Sequence, residues 1–242
     1  MKIGFIGFGE VNRKLAEILK NETLLTSKEG RSRNTIFNID KSDAEVLDNF
    51  EQVAINSDIL ISANSPSNAL KTAEKYGRLC DGIYLDLNNI SPKTVGEIKK
   101  VTNNFVDSSI IGGINNDFRI YLSGEKSRQL EFLSNYLPIE IISDNIGDAS
   151  KLKLLRSIYT KSVSAALIET MEIAEKLNLE EELLDTISLS EGENFKKLAI
   201  SRIKNTKNNP KRKEEEMLEI LDYFKGHSME MSEATLKKLS NL

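Results

Sequence analysis

Tryptophan is absent from this 242-residue chain, and cysteine and histidine occur once each, as Cys80 and His227. A single cysteine excludes an intramolecular disulfide, and the lone histidine lies in a charged tail segment without metal-type ligands beside it, so no structural zinc site is expected. Long apolar runs are missing as well. No stretch approaches the ~18 residues that a membrane span requires. Charge of one sign is also lacking, because 33 Lys and Arg against 37 Asp and Glu leave a formal net charge of -4 with the two signs interspersed. That balance offers no basic face of the kind that nucleic acid needs. Neither nucleic acid nor a membrane is expected as a partner. The start Met1-Lys2-Ile3-Gly4-Phe5-Ile6-Gly7 runs straight into a strand-like segment without the blocks of a signal peptide, and a cytoplasmic protein is expected. What is present is 39% hydrophobic residues, enough for a sizeable core.

Short apolar runs alternate with amphipathic stretches up to residue 144, the pattern of parallel strands joined by crossover helices. The fold class is therefore α/β, a doubly wound Rossmann domain over residues 1–144. Strands are predicted at Lys2–Ile6, Thr35–Ile39, Ile59–Ala63, Gly82–Leu87, Asn104–Val106, Arg119–Ser123 and Ile139–Ile142. Helices are predicted to start near Glu10, Pro66, Pro92 and Glu125. Helical periodicity then takes over, which predicts an all-helical C-terminal domain over 145–242 for substrate binding and dimerisation. Within it Lys204–Pro210 is polar and ends in proline, so it reads as an exposed loop between helical stretches at Glu180–Ile203 and from Lys211 onward. The run Lys211–Glu216 reads as a solvated helix start.

The first strand ends in Gly7-Phe8-Gly9-Glu10-Val11-Asn12 and feeds a helix, the context in which a glycine-rich turn binds a dinucleotide. Gly7 would make the turn, Gly9 would let backbone approach a pyrophosphate, and the free N–H groups of the helix start would receive its charge. The third glycine of the fingerprint is replaced by Asn12. Glu10 is expected to turn away from the phosphates or to cap the helix start. Cofactor choice between NAD and NADP is set at the end of the second strand, where Asn38 is the best candidate; it is neutral, with Asp40 and Lys41 pulling in opposite directions, and the reading leans to NADP. Ser65 and Asn88 stand in loops at strand ends, where a doubly wound sheet binds its ligand. Cys80 reads as a small half-buried residue and His227 as a surface one.

Four segments occur in the order and spacing of the β-hydroxyacid dehydrogenases related to 6-phosphogluconate dehydrogenase. Gly4–Glu10 resembles the opening of that family, and Asp58–Pro66, with Asn64, Ser65 and Pro66, resembles its strand and loop beside the nicotinamide ribose. Tyr84–Pro92, with Asn88, is similar to the segment after the next strand. Val106–Gly113 resembles the substrate-binding loop, although its usual Pro-Val-Ser core has become Ser109-Ile110-Ile111. Gly147–Lys153 resembles the stretch that ends in the catalytic lysine. The resemblance implies a nicotinamide cofactor, NADP or NAD, a small anionic hydroxy acid as substrate, and a homodimer. It makes Lys153 the general acid and base, and assigns the substrate to Ser108, Ser109, Gly112 and Gly113.

Read without the family, Lys153, Arg156, Ser157, Thr160 and Lys161 share one side of a helix whose remainder is apolar. Three cations without interleaved acids repel one another, and an anion between them would relieve that. Arg156, Ser157 and Lys161 would therefore orient a substrate carboxylate. The rival reading is a non-redox Rossmann protein, either an S-adenosylmethionine-dependent methyltransferase or a nucleotide-sensing module, whose glycine loop also follows the first strand.

Overall fold

Apolar runs too short for a stable helix become strands when a crossover returns the chain to the same edge of the sheet. In the computed structural model, which describes all of residues 1–242, these are β1 (Lys2–Ile6), β2 (Thr23–Ser27), β3 (Glu45–Leu47), β4 (Ile59–Ser62), β5 (Ile83–Asp86) and β6 (Asn104–Gly112), followed by β7 (Phe118–Ser123) and β8 (Ile139–Ser143). They form one eight-stranded sheet in the order β3-β2-β1-β4-β5-β6-β7-β8. Pairing is parallel except between β6 and β7, which form an antiparallel hairpin.

The crossovers are α1 (Glu10–Ile18), α2 (Arg33–Asp40), α3 (Phe50–Ile55), α4 (Pro66–Tyr76) and α5 (Pro92–Lys100). Their starts are written locally. Ser32, Asn49 and Ser91 each accept a first-turn N–H, and Pro66 and Pro92 occupy first-turn positions where no N–H is needed. One face of the sheet packs Ile3, Phe5 and Leu85 against Leu15 and Leu19 of the α1 segment and Ile39 of α2. The opposite face packs Ile6, Leu60 and Tyr84 against Val53, Ala69, Ala73 and Ile98. Helices thus cover both faces, as in a doubly wound sheet.

The remaining α-helices are α6 (Asp148–Leu177), α7 (Glu180–Glu191), α8 (Phe195–Asn208), α9 (Pro210–Tyr223) and α10 (Glu230–Leu239), and the helix expected near Glu125 is a 3-10 helix over Ser127–Asn135. Leu167 of α6 packs with Leu184 and Ala199, while Leu154 and Ile158 pack with Met217, Ile220 and Leu239. The packed units divide at Lys153/Leu154 rather than at the expected 144/145. The first turn of α6 goes with the sheet because β6 and β7 hold it by hydrogen bonds.

Three expectations are corrected. Thr35–Ile39 is not a strand but lies inside α2, where Ser32 supplies an N-cap, and the second strand is Thr23–Ser27. The expected loop at Lys204–Pro210 is mostly the end of α8, with only Asn209 between it and α9. The helical stretch Glu180–Ile203 is two helices, broken at Gly192, whose φ of +95° favours a residue without a side chain.

Candidate active site

β1 and β4 are neighbours although β2 and β3 intervene in sequence, so the direction of sheet building reverses beside β1. A doubly wound sheet binds its ligand at the carboxyl ends of such strands. The glycine loop sits there. Gly7 has φ +89°, and a Cβ on it would lie 2.7 Å from Asn64 Oδ1 and 2.8 Å from Ala63 O. Glycine is therefore required. A Cβ on Gly9 would meet nothing within 4 Å, and no side chain caps α1, so the first N–H groups of this helix face open space. Phe8 turns the other way, buried edge-on against Phe5 in the core, and Val11 packs on the same core. Glu10 is drawn aside by Asn115, whose Nδ2 donates to Glu10 Oε1 at 2.6 Å. Asn12, the departure from the fingerprint, is fully buried and folds its amide back to donate to Gly7 O at 2.8 Å. It fills the space a third glycine would leave while bracing the turn.

The loops after β4 and β5 are locked together through Asn88. Its Oδ1 accepts the Asn64 N–H at 2.5 Å, and its Nδ2 donates to Asp86 Oδ2 at 2.8 Å and to Ser62 Oγ at 3.1 Å. Both amide protons and the amide oxygen of Asn88 are thereby engaged inside the protein, and the side chain shapes the loop. Ser65 and Pro66 remain exposed at the start of α4, with Ser65 Oγ accepting from Asn68.

Asn38 does not stand where a cofactor ribose would be read, because it lies within α2, away from the end of β2. The residues at that end are Ser27, Lys28, Glu29, Gly30, Arg31, Ser32 and Arg33. Glu29 is spent elsewhere, its Oε2 accepting the Phe50 N–H at 3.1 Å. Lys28 pairs with Asp40. The Arg31 guanidinium lies 4.8 Å over the Phe50 ring, and Ser32 and Arg33 are exposed at the start of α2. This cationic run escaped the sequence reading. Its signal was an N-cap serine between two arginines after Thr23–Ser27, whose threonines and leucines suit a strand.

The expected substrate loop proves to be strand for most of its length. Ser108 and Ser109 lie in β6, nearly inaccessible, and Ser108 Oγ donates to the Asp86 carbonyl at 2.5 Å. Only Gly112 and Gly113 reach the hairpin turn; Gly112 has φ +101° with Asp117 O pressed against the position of its missing Cβ. In parallel register, Ser62, Asp86 and Asp107 lie side by side on β4, β5 and β6, and Ser123 of β7 pairs with Asp107. Neither acid was singled out from sequence, although a lone Asp in a run such as Tyr84-Leu85-Asp86-Leu87 is too costly to bury without partners. Burial pushes the Asp86 carboxyl up to about 7, against the hydrogen bonds from Asn88 and with help from the charge of Asp107. Burial raises Asp107 too, opposed by donors from Ser150 and Ser123.

Lys153 is half-buried in the second turn of α6 and Arg156 is exposed on the next. Lys161 is different. It is 5% exposed, takes a contact from Ser157, and pairs with Glu216 Oε2 of α9 at 2.9 Å. The expectation of cations without an acid among them is therefore corrected, since α9 brings Glu216 to Lys161. Burial lowers the Lys161 pKa and the pair with Glu216 resists that.

No family model matches the chain. An uncharacterised 28.5 kDa protein of Methanothermus fervidus is 40% identical over 233 residues, covering 95% of this chain and 93% of that protein. The solved conserved protein MTH1747, of unknown function and described as structurally similar to 3-hydroxyacid dehydrogenases, is 37% identical with a TM-score of 0.87 over 100% of this chain and 96% of its own. The chain belongs to the β-hydroxyacid dehydrogenase-like family. More distant solved structures share the fold at low identity. The 3-hydroxyisobutyrate dehydrogenase of Mycobacterium tuberculosis, solved with L-serine, has a TM-score of 0.81 at 13% identity over 99% of this chain and 92% of its own. Psf3, solved with NADP+, has a TM-score of 0.71 at 14% identity over 99% and 93%.

Proposed function

We propose that this protein is a nicotinamide-dependent oxidoreductase, with NADP preferred, acting on a small anionic hydroxy acid, and that Lys153 exchanges the substrate proton. The observation that carries the reading is the glycine loop, where an obligate glycine at Gly7, open space at Gly9 and an uncapped α1 start converge at the switch point of the sheet. Backbone N–H groups there suit a pyrophosphate. Arg31, Ser32 and Arg33 suit a 2′-phosphate, while Glu29, the acid that would favour a free ribose hydroxyl, is committed to Phe50. When bound, the nicotinamide supplies the hydride transfer.

The chain's own residues do the rest. Asn88 fixes the loop that carries Asn64, Ser65 and Pro66, and so shapes the border of the cofactor site. Lys153 holds the proton that the substrate hydroxyl releases or regains. Lys161 is tied to α9 through Glu216 and also contacts Ser157 of its own helix, so Arg156 is the exposed cation of this stripe left to meet a substrate carboxylate.

Fluorescence titration with NADPH, alongside calorimetry with S-adenosylmethionine, tests the reading. NADPH should bind the native protein and fail to bind folded Gly9→Val, whose side chain would fill the pyrophosphate space. Binding of S-adenosylmethionine without NADPH would replace the oxidoreductase by the non-redox alternative.

A further inference from the structure

The start of α6 lacks a cap of its own. The residue before the helix is Gly147, with φ +94°, and it has no side chain to offer the first N–H groups. Their partners come from the sheet instead. Asp107 Oδ2 in β6 accepts the Ser150 N–H at 3.0 Å, and Asp107 Oδ1 accepts the Ser150 hydroxyl at 2.8 Å. Ser123 of β7 donates its hydroxyl to Asp107 at 3.2 Å and accepts the Ala149 N–H at 3.0 Å. All four residues are at most 3% exposed. A rigid β6–β7 hairpin thus grips two successive N–H groups of the helix, and two grips fix rotation about the helix axis as well as position along it. A carboxylate also suits the positive end of the helix dipole.

We propose that Asp107 is the positioning residue for Lys153, acting through Ser150, which lies three residues before Lys153 and so on nearly the same side of α6. This rests on the reading of Lys153 as the proton-exchanging group. The cost accepted for it is the neighbour Asp86, a second buried acid in direct register with Asp107. Above about pH 7, where Asp86 ionises as well, like charges side by side on adjacent strands oppose folding, so a purely structural cap would be better served by a neutral acceptor. The carboxylate that is retained binds the backbone and hydroxyl of Ser150, one turn before Lys153.

Competitive acetylation of lysines across pH, read by peptide mass spectrometry, gives each lysine its own titration midpoint and rate without any substrate. Asp107→Asn keeps one acceptor oxygen and removes the charge. The Lys153 midpoint should fall by about half a unit or more, while exposed Lys93 of α5 stays in place and NADPH binding stays within about twofold. Amide exchange at Ala149 and Ser150 should quicken. An unmoved Lys153 midpoint in folded Asp107→Asn overturns the proposal. Should that variant not fold, Ser150→Ala removes only the hydroxyl bond; a changed Lys153 labelling rate supports the positioning role, and an unchanged one overturns it. Lys153→Met tests the underlying reading separately, because full turnover there would remove Lys153 from the chemistry without altering the labelling result.

Discussion

Arg31 is the residue at which the proposed preference for NADP can be tested. A guanidinium stacked at 4.8 Å on the Phe50 ring is held in place before any ligand arrives, so less side-chain freedom is lost when it meets a phosphate. Arg31→Ala should weaken NADPH binding by ~10-fold or more and leave NADH nearly unaffected, since a charge-assisted bond to the 2′-phosphate is lost and NADH has no such group. Equal losses for both cofactors in a fluorescence titration would remove Arg31 from the 2′-phosphate site. The sequence misdirected this choice to Asn38 for a local reason. Thr35-Ile36-Phe37-Asn38-Ile39 is rich in β-branched and aromatic residues and scores as strand, yet Ser32 caps it as a helix and β1 accepts Thr23–Ser27 instead. By contrast Gly7 was legible because its φ of +89° and the close approach of Asn64 and Ala63 make a demand of the backbone that other residues do not meet. Gly9 stands in open space, where glycine matters only to a ligand.

Among elements, the row Ser62, Asp86, Asp107 and Ser123 runs in register across four interior strands of the sheet. Its energetics depend on pH. Burial raises the Asp86 pKa from 3.8 to about 7, so the folded chain holds this proton more tightly than the unfolded chain does. The stability it contributes is complete below the unfolded value and is lost as pH rises through about 7. Asp86→Asn imitates the protonated form and should escape that loss. Thermal midpoints of variant and native protein should nearly coincide at pH 4 and separate in favour of the variant toward pH 8. Parallel profiles would mean that Asp86 does not titrate in this window. Strands β1, β4, β5, β7 and β8 and the start of β6 could be read from sequence, but not this row, because partners arising from four separate strands and from α6 leave no local pattern. The same holds for Lys161, whose partner Glu216 stands in a charge run that sequence alone reads as solvated.

At the scale of the whole molecule, α6 carries a stripe that the chain itself leaves uncovered. Leu155, Tyr159, Ile173 and Leu177 are 53%, 63%, 55% and 61% exposed. Their spacing keeps them, with exposed Ala166, within a narrow sector of the helix. The order is symmetric about Ala166: Leu155 and Leu177 lie equally far from it, as do Tyr159 and Ile173. An antiparallel copy of α6 laid across Ala166 would therefore set Leu155 against Leu177 and Tyr159 against Ile173, twice over, which is the self-complementarity of a two-fold interface. The small side chain at the centre permits the close approach. We expect a homodimer closed through this stripe. Light scattering after gel filtration should give twice the 27.2 kDa of one chain, and Tyr159→Glu should give the monomer, because two carboxylates would be buried opposite Ile173 without partners. The substitution falls on an exposed position, so the helical unit should keep its fold and its circular dichroism. A dimer that persists in Tyr159→Glu would place the interface elsewhere on the molecule, and a native protein that elutes as a monomer would leave the stripe without this partner.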